Sequence, residues 1–320
     1  MTRVILLPGL LAAFLGGCGA PLPYPQAEEL TFALMGDAPY NDAQVKQLDA
    51  LIDDMNAQEL AFVVHVGDIT SGRGPCTDAW LEARQRQYQR LRHPVILIPG
   101  DNDWVDCHRS GFDPMERLDK MRRLFHSGDE SIGQRTIRLE RQSSNARYTD
   151  YREHVRWIAG GVVFIGVNVQ GSNNNLGRTQ AMDEEHRTRM AAVLAWLDEG
   201  ITLAMERRLA GAVIFAQANP DFEGRYRRRP DVGDGFEQFR NALRQQALRL
   251  GRPVLFVHGD THMYQQDRPL SDPSTGGTIA NFVRVEVPGS PQVRWLKGGI
   301  DSSRGDVFSV SPAPPPTPWP

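Results

Sequence analysis

Four apolar segments of strand length in this chain each end in the dipeptide Gly-Asp. They are LTFALMGD, AFVVHVGD, VILIPGD and VLFVHGD, and their last residues are Asp37, Asp68, Asp101 and Asp260. Parallel strands that are buried on both faces are continuous runs of Val, Ile, Leu and Phe, and α/β sheets bind ligands at the carboxyl ends of such strands. We therefore expect the four carboxylates to meet along one edge of a sheet.

A cluster of this kind constrains what else lies at that edge. Carboxylates that lie close together raise one another's pKa, so they do not all ionise unless a cation lies among them. Hard divalent ions take oxygen ligands from carboxylates, amides and water. The sequence therefore predicts a site for one or two divalent metal ions.

The order of the predicted elements indicates an α/β fold. Residues 41–57 and 78–91 have helical patterns and separate the first three strand segments. A β-α-β-α-β series requires parallel strands with right-handed crossovers. Farther along we predict a strand pair around Gly160-Gly161, a long helix through Met190 and Met205, a strand at GAVIFAQANP, a helix near residues 235–250, and strands at NFVRVEV and QVRWLKGGID.

The first residues are typical of an export signal. A basic residue, Arg3, precedes a short apolar core and small residues that end at Cys18. The sequence LGGC resembles the lipobox of bacterial lipoproteins, which implies acylation of Cys18 and a membrane anchor. By the same resemblance, Gly19 favours the outer membrane, facing the periplasm. An ordinary signal peptide with an incidental cysteine is the alternative.

We expect four segments in the chain. They are a signal peptide at 1–18, a tether at 19–29, one catalytic-type domain at 30–300 and a proline-rich disordered tail at 301–320. Cys76 and Cys107 are an even pair in an exported protein, so a disulfide between them is expected, with free thiols as the alternative.

Charge composition bounds the partners. The chain has 36 Lys and Arg residues against 39 acidic residues, so no nucleic-acid-binding surface is expected. We expect a monomer. The loop DFEGRYRRRP at 221–230 is basic enough to reach a phosphate, although a solvated loop would have the same composition.

The motifs GDAPY, GDI, GDND, QANP and GDTH occur in the order and spacing of the calcineurin-like metallophosphoesterases, across about residues 30–300. Each motif is weak alone, and the series is specific. The resemblance implies an αββα fold, in which a two-sheet sandwich is flanked by helices. It also implies hydrolysis of a phosphate-ester substrate by metal-activated water.

Carried over position by position, the resemblance implies six metal ligands: Asp37, Asp68, Asp101, Gln217, Asp260 and His262. Several family histidines are replaced by oxygen donors, which favours manganese, magnesium or calcium over iron or zinc. Pro39 stands where the first-motif histidine would be and cannot coordinate a metal. Tyr40, the next residue, is either a substitute phenolate ligand or a hydrogen-bonded tyrosine.

Three residues are the catalytic candidates: Asn102, Asp103 and His258. Asn102 replaces the histidine that assists the leaving group in the family, and an amide cannot donate a proton as an acid does. Asp103 is either that acid or a turn residue. His258 either takes part in the chemistry or orients a ligand, and His65 is more simply explained as a core histidine.

Three hypotheses follow from these observations. The first is an exported, lipid-anchored, metal-dependent phosphoesterase. The second is a degenerate relative that binds a phosphate ligand or a partner without turnover, which Pro39 and Asn102 favour. The third keeps the strand-end aspartates as helix caps and turn formers in a fold of other function.

Overall fold

The structure is a computed structural model that describes residues 29–225 and 231–314. The predicted signal peptide, most of the tether, the arginine-rich stretch 226–230 and the last six residues lie outside the described residues. The strands are β1 (Glu29–Met35), β2 (Val63–His65), β3 (Val95–Leu97), β4 (Glu140–Arg141), β5 (Val155–Ala159), β6 (Val162–Gly166), β7 (Gly211–Phe215), β8 (Val254–His258), β9 (Gln265–Asp267), β10 (Phe282–Glu286), β11 (Leu296–Asp301) and β12 (Phe308–Pro312).

Helices connect most of these strands. They are α1 (Asp42–Asn56), α2 (Asp78–Tyr88), α3 (Pro114–Phe125), the one-turn segment α4 (Gly171–Asn174), which is left-handed at Ser172 and Asn173, α5 (Gln180–Glu206) and α6 (Glu237–Leu250), with 3-10 helices at Val105–Ser110 and Gln142–Ser144. Within the described ranges, no helix is both long and apolar enough to span a bilayer.

The strands of the described residues form two sheets. The first has the order β12-β11-β1-β2-β3 and the second has the order β4-β5-β6-β7-β8-β10-β9. Strands β1, β2 and β3 are parallel, as the β-α-β-α-β pattern predicts, and so are β6, β7, β8 and β10. The carboxyl ends of β1, β2 and β3 therefore share one edge.

Successive side chains along each strand point to opposite faces of the sheet, and this alternation produces the layers of the fold. In β1, Phe32 and Leu34 lie between the sheets with Phe164 and Phe215 of the second sheet, whereas Ala33 and Met35 face the helices. The first sheet packs its outer face on α1 and α2, and the second packs on α5 and α6. Side chains that alternate between the faces of a strand bury both faces in this arrangement. The result is helix, sheet, sheet and helix in four layers.

Helix starts follow local sequence rules. Asn41, Thr77 and Thr179 cap α1, α2 and α5 by accepting a backbone N–H with their side chains. Helix α3 was not predicted, although Asp113 caps it and Pro114 occupies its first turn. Its many charged residues obscure the apolar stripe of Leu118, Met121 and Phe125.

The predicted tail begins too early. Strand β12 lies within 301–320 and pairs antiparallel with β11, so the prediction that this whole segment is disordered is wrong for Phe308–Pro312. The proline-rich composition starts only at Pro312, and the sequence before it, FSVS, has the alternation of an edge strand.

Candidate active site

The Gly-Asp aspartates of both sheets meet at one place. Asp37, Asp68 and Asp101 follow β1, β2 and β3 of the first sheet, and Asp260 follows β8 of the second. The backbone N–H of Asp260 donates to Asp37 Oδ1 at 3.0 Å, which joins the two sheets. The backbone N–H of Asn102 donates to Asp68 Oδ1 at 3.0 Å and joins the β2 and β3 loops. The predicted convergence is confirmed for Asp37, Asp68 and Asp101, whereas the prediction of a single sheet edge is wrong for Asp260, which reaches the same place from the second sheet.

The backbone is strained where these side chains are presented. Asp37, Asp68, Asp260 and His262 have φ of 52°, 61°, 79° and 65°. Residues other than glycine are uncommon in this left-handed region, and aspartate tolerates it better than most. Strain of this kind is concentrated at functional sites because the surrounding structure must hold it.

The hydroxyl of Tyr40 lies at the centre of the site. It is 3.2 Å from Asp68 Oδ2 and 3.1 Å from His262 Nε2, and it accepts a hydrogen bond of 3.2 Å from Asn102 Nδ2. Burial raises the pKa of Tyr40, and repulsion from Asp68 and Asp37 raises it further. The side chain is therefore a protonated, hydrogen-bonded phenol in this structure, which favours that alternative over the phenolate.

Gln217 connects Asp68 to a second loop. Its Nε2 donates to Asp68 Oδ2 at 3.1 Å, and its Oε1 accepts the backbone N–H of Gly171 at 2.7 Å. Gln217 is fully buried at the end of β7. The predicted ligand thus acts here as a hydrogen-bonded bridge.

His262 is oriented in the way that metal-binding histidines are. Its Nδ1 donates to the backbone carbonyl of Ser290 at 2.8 Å, which leaves Nε2 unprotonated in the neutral ring. Nε2 lies 3.7 Å from Asp37 Oδ1. Burial lowers the pKa of His262, so the neutral ring is favoured. A ring N–H that donates to a carbonyl is the usual support for a ligand histidine.

Two carboxylate oxygens of the site have no partner. Asp37 Oδ2 and Asp101 Oδ1 are buried, and no described group donates a hydrogen bond to either. A Cβ on Gly171 would stand 2.6 Å from Asp260 Oδ1 and 2.8 Å from Asp101 Oδ1. The space between these two carboxylates is therefore open only because residue 171 has no side chain.

Burial makes ionisation of the four aspartates costly in free energy unless a counter-ion is present. Burial raises the pKa of Asp37 and Asp68 well above the ordinary value, and partial burial does the same for Asp260; repulsion from Asp101 adds to all three shifts. Burial, with repulsion from Asp106, raises the pKa of Asp101 to about 7. These carboxyl groups must hold protons near neutral pH or be compensated by a cation.

The carboxylate and amide oxygens of the site suit a hard cation, but these atoms do not surround a single metal position in the structure. Among the described residues, no three His, Cys, Asp or Glu side chains are grouped so as to hold a metal ion. Both oxygens of Asp68 are engaged by Asn102, Tyr40 and Gln217 instead. The unpartnered oxygens, the orientation of His262 and the open space at Gly171 are the features that fit a metal.

Comparison with known proteins identifies the architecture. No protein-family model matches the sequence, and no curated protein matches it. Among solved structures, PhoD is similar with a TM-score of 0.53 and 11% identity, over 91% of this chain and 70% of that chain. The fold is that of the metallophosphoesterases. The two-sheet αββα class that the sequence predicts is confirmed.

Two further solved structures of similar proteins are a dimetal phosphatase from Danio rerio and the purple acid phosphatase PPD1 from yellow lupin seeds. Both have TM-scores of 0.48, with identities of 15% and 13%. The matches cover 84% and 90% of this chain, and 92% and 54% of the respective neighbours.

Within the metallophosphoesterase fold, the three catalytic candidates have different surroundings. Asn102 faces Tyr40 at the site. Asp103 is fully buried and accepts backbone N–H groups from Gly100, Asp68 and Ile69 at 2.8, 3.0 and 2.8 Å. Asp103 therefore ties the β2 and β3 loops together, which matches the turn alternative. Its role as an acid stays a prediction.

His258 is also fully buried. Its Nδ1 lies 2.8 Å from the carbonyl of Gly259, and no described residue is hydrogen-bonded to its Nε2. Burial lowers the pKa of His258 to about 3, so the ring is neutral near pH 7. No hydrogen bond joins it to the predicted ligands in the described part of the chain, and its catalytic role stays a prediction.

His65 is a satisfied core histidine. Its Nδ1 accepts the backbone N–H of Gly67 at 3.2 Å, so Nε2 carries the proton and donates to the carbonyl of Ala38 at 3.1 Å. This pair of bonds holds the β1 loop, which carries Tyr40, against the β2 loop.

A disulfide joins Cys76 to Cys107, as the sequence leads us to expect. Both sulfur atoms lie close to the carbonyl oxygen of Asn102, at 3.7 and 3.4 Å. The bridge therefore fixes the β2 and β3 loops to each other beside the site.

Sequence reasoning missed three contributors. Gly171 shapes the gap between two carboxylates, and Asp106 and Arg109 lie next to Asp101. The sequence signal for the latter pair is the segment DCHR, which follows the GDND motif after two residues, Trp104 and Val105. Gly171 belongs to the polar segment QGSNNN, whose sequence does not reveal how closely it approaches the acids.

Proposed function

We propose that this protein is a divalent-metal-dependent phosphoesterase. The observation that carries the proposal is the meeting of four aspartates from two sheets, with a buried, unpartnered oxygen on Asp37 and another on Asp101. Perturbed acids that share a cleft are candidates for function, because a purely structural acid would be paired. The fold, shared with PhoD, agrees with this assignment.

The residues that would hold the metal are the six predicted from the sequence. Three ligand atoms have lone pairs available for a metal. No described group donates to Asp37 Oδ2 or Asp101 Oδ1, and only the hydroxyl of Tyr40 lies within hydrogen-bond distance of His262 Nε2. The oxygen-rich set favours manganese, magnesium or calcium, with iron or zinc less favoured. When bound, such ions lower the pKa of a water molecule and neutralise phosphoryl oxygens.

The chain's own groups then position the substrate. Asn102 donates through Nδ2, so it can hold an oxygen atom but cannot protonate one. Tyr40 stays protonated, and its single hydroxyl proton can be donated either to Asp68 Oδ2 or to His262 Nε2, but not to both at once. Asp103 keeps the loops at a fixed separation, because three backbone N–H groups bind its carboxylate.

A second candidate function is favoured by a specific observation. Pro39 supplies no ligand where the family has a histidine, and the described residues contain no preassembled group of three donors. A degenerate protein that binds a phosphate ligand or a partner without turnover would be consistent with both facts.

Metal content and hydrolysis separate the two functions. Purified protein is incubated with manganese, magnesium, calcium or zinc, freed of excess ion, and examined by elemental analysis and with p-nitrophenyl and bis-p-nitrophenyl phosphate. We expect about one or two ions per chain, and activity that a chelator removes. Asp101→Asn, which keeps the shape of the side chain, should lose metal and at least about 10²-fold in kcat/KM.

The matched control is Asp150→Asn, which removes an exposed carboxylate and should change neither measurement. Metal binding without hydrolysis of any ester would favour the degenerate protein. No retained metal in the wild type would reject the metal-dependent function.

We also propose that the protein is exported and anchored by a lipid on Cys18, which the sequence of residues 1–18 supports. Expression in a bacterial host with labelled palmitate tests it. Label and membrane association should both disappear in Cys18→Ser, and a labelled Cys18→Ser protein would contradict the anchor.

A further inference from the structure

Arg109 is a cation at the site that the family motifs do not include. It lies near the end of the 3-10 helix Val105–Ser110, which begins directly after the β3 loop. Its Nη1 is 2.6 Å from Asp106 Oδ2 and donates to the carbonyl of Gly72 at 3.2 Å. Its Nη2 lies 3.4 Å from Ser172 Oγ. The guanidinium is thus held by Asp106 of its own 3-10 helix and by two loops, those of Gly72 and Ser172.

One side of Arg109 is anchored and the other is open. Asp106 is only 3% exposed, and Ser172 Oγ donates to its Oδ1 at 2.8 Å, whereas the side chain of Arg109 is 47% exposed. No described residue accepts a hydrogen bond from Arg109 Nε. A guanidinium has five donors, so this one retains donors for an anion that arrives from solvent.

The position of Arg109 relative to Asn102 gives it a role. A Cβ on Gly72 would stand 2.8 Å from Asn102 Oδ1 and 3.1 Å from Arg109 Nη1. Residue 72 therefore has to be small for the two side chains to approach each other. Asn102 occupies the position at which the family has its leaving-group histidine, so Arg109 lies beside the place where the leaving oxygen is expected.

An arginine does different chemistry from a histidine at this place. It remains protonated at all physiological pH values, so it stabilises negative charge without giving up a proton. A general acid contributes typically about 10²–10⁴ in rate, and most to leaving groups that are poor as anions. A fixed cation stabilises an oxyanion electrostatically and serves leaving groups that depart as stable anions.

We propose that Arg109 binds the phosphoryl group on its leaving side, and that the protein therefore selects phosphate esters or anhydrides whose leaving group departs as an anion. This inference rests on the phosphoesterase function proposed above. In the step, water oxygen forms a bond to phosphorus while the bond from phosphorus to the leaving oxygen breaks. The electron pair stays on the leaving oxygen beside Arg109, and the proton lost by water passes to solvent.

The test uses aryl phosphates of graded phenol acidity, together with an alkyl phosphate. Each is assayed with the wild type, Arg109→Gln, Arg109→Lys and Arg304→Gln, all loaded with the same metal. We expect the wild-type kcat/KM to fall steeply as the phenol becomes less acidic. Arg109→Gln should lose about 10²-fold, and should lose more for the less acidic phenols.

Two variants serve as controls. Arg109→Lys keeps the charge next to Asp106, so it should fold like the wild type and recover part of the rate. Arg304→Gln removes an exposed arginine from the turn between β11 and β12, at the end of the sheet opposite the site, and should change nothing.

Binding of inorganic phosphate gives a second measurement that does not need turnover. By calorimetry, Arg109→Gln should bind phosphate about tenfold more weakly than the wild type and Arg304→Gln. If the wild type hydrolyses esters and Arg109→Gln keeps its rates and its phosphate affinity, the assignment of Arg109 is wrong. A wild-type rate that is independent of phenol acidity would overturn the leaving-group selectivity. If no ester is hydrolysed at all, the proposed function fails, and phosphate affinity alone decides the role of Arg109.

Discussion

Two clusters of buried acidic residues in this protein have pKa values shifted in opposite directions. At the site, four aspartates lie mainly next to one another, and burial raises their pKa values. Away from it, Glu153 is fully buried but binds Arg122 through two hydrogen bonds of 2.8 Å, and Asn168 donates to it at 3.1 Å. Burial acts to raise the pKa of Glu153, and Arg122 outweighs that effect and lowers it to about 2.

Buried charge that serves the structure is compensated within the protein, whereas buried charge that serves function is left for a ligand to compensate. The Glu153 cluster contains its own counter-ion, so both oxygens of the Glu153 carboxylate are paired without any ligand. The aspartate cluster leaves two oxygens without partners, and burial and mutual repulsion raise the pKa values of its carboxyl groups, an effect that a bound cation would oppose. A native fold tolerates that cost where the cluster binds something.

Breaking the compensated cluster should have the largest effect on stability. Glu153→Gln leaves the guanidinium of Arg122 with no buried counter-charge, and removal of one partner of a buried pair costs about 3–5 kcal/mol. We expect the free energy of unfolding in urea to fall by that amount, while metal content and kcat of the folded protein stay unchanged. Asp119→Asn, which removes an exposed partner of Arg122, should cost less than about 1 kcal/mol.

The same cluster predicts a dependence of stability on pH. The pKa of Glu153 is lower in the folded protein, about 2, than in the unfolded chain, so the pair contributes fully above the unfolded pKa of about 4.5. Its contribution is lost progressively as the pH falls from about 4.5 toward about 2, and amounts to about 3 kcal/mol. The difference in unfolding free energy between wild type and Glu153→Gln should shrink over this range. A constant difference would show that the charge of Glu153 is not the source.

Neutralising an acid of the site should raise the free energy of unfolding, in contrast to Glu153→Gln, which should lower it. In metal-free protein near pH 8, Asp101→Asn removes a carboxylate whose pKa is raised to about 7 in the folded state. We expect the free energy of unfolding to rise by up to about 4 kcal/mol, which corresponds to a pKa raised from 3.8 to about 7. A lower stability of the metal-free variant at that pH would mean that Asp101 is compensated like Glu153. The gain should shrink as the pH falls below about 7, where the folded wild type takes up the proton, and should disappear below about pH 4, where the unfolded wild type also holds it.

The two clusters also differ in how far they follow from sequence. The Gly-Asp pattern places its aspartates after parallel strands, and the geometry of a parallel sheet brings the strand ends together, so four of the site residues were predictable. Glu153 and Arg122 carry no such pattern. Their pairing depends on how α3 packs beside β5, and α3 itself was missed because charged residues surround its apolar stripe.

Other parts of the site depend on tertiary contacts alone. Ser172 to Asn175 all have positive φ, a conformation that no propensity rule assigns to four residues other than glycine in a row. The turn is held by contacts distant in sequence: Asn174 binds Arg189 and the carbonyl of Gly235. Only these contacts place Gly171 above the acids. Similarly, Arg109 is aimed by Asp106 and Ser172 rather than by a motif.

Gly171→Ala is the smallest change that should affect the acid cluster without affecting the rest of the fold. The backbone of Gly171 is not left-handed, so alanine introduces no strain in φ, but its methyl group would stand 2.6 Å from Asp260 Oδ1 and 2.8 Å from Asp101 Oδ1. These oxygens must move apart or the loop must lift. We expect about tenfold weaker metal binding, measured by calorimetry, and a corresponding loss in kcat/KM.

Gly305→Ala is the control, because an added Cβ at this glycine would contact no neighbouring atom, and it should bind metal as the wild type does. Equal metal affinity in Gly171→Ala would place the ion away from the gap between Asp101 and Asp260, on the side of Asp37 and His262, where the added methyl group does not reach.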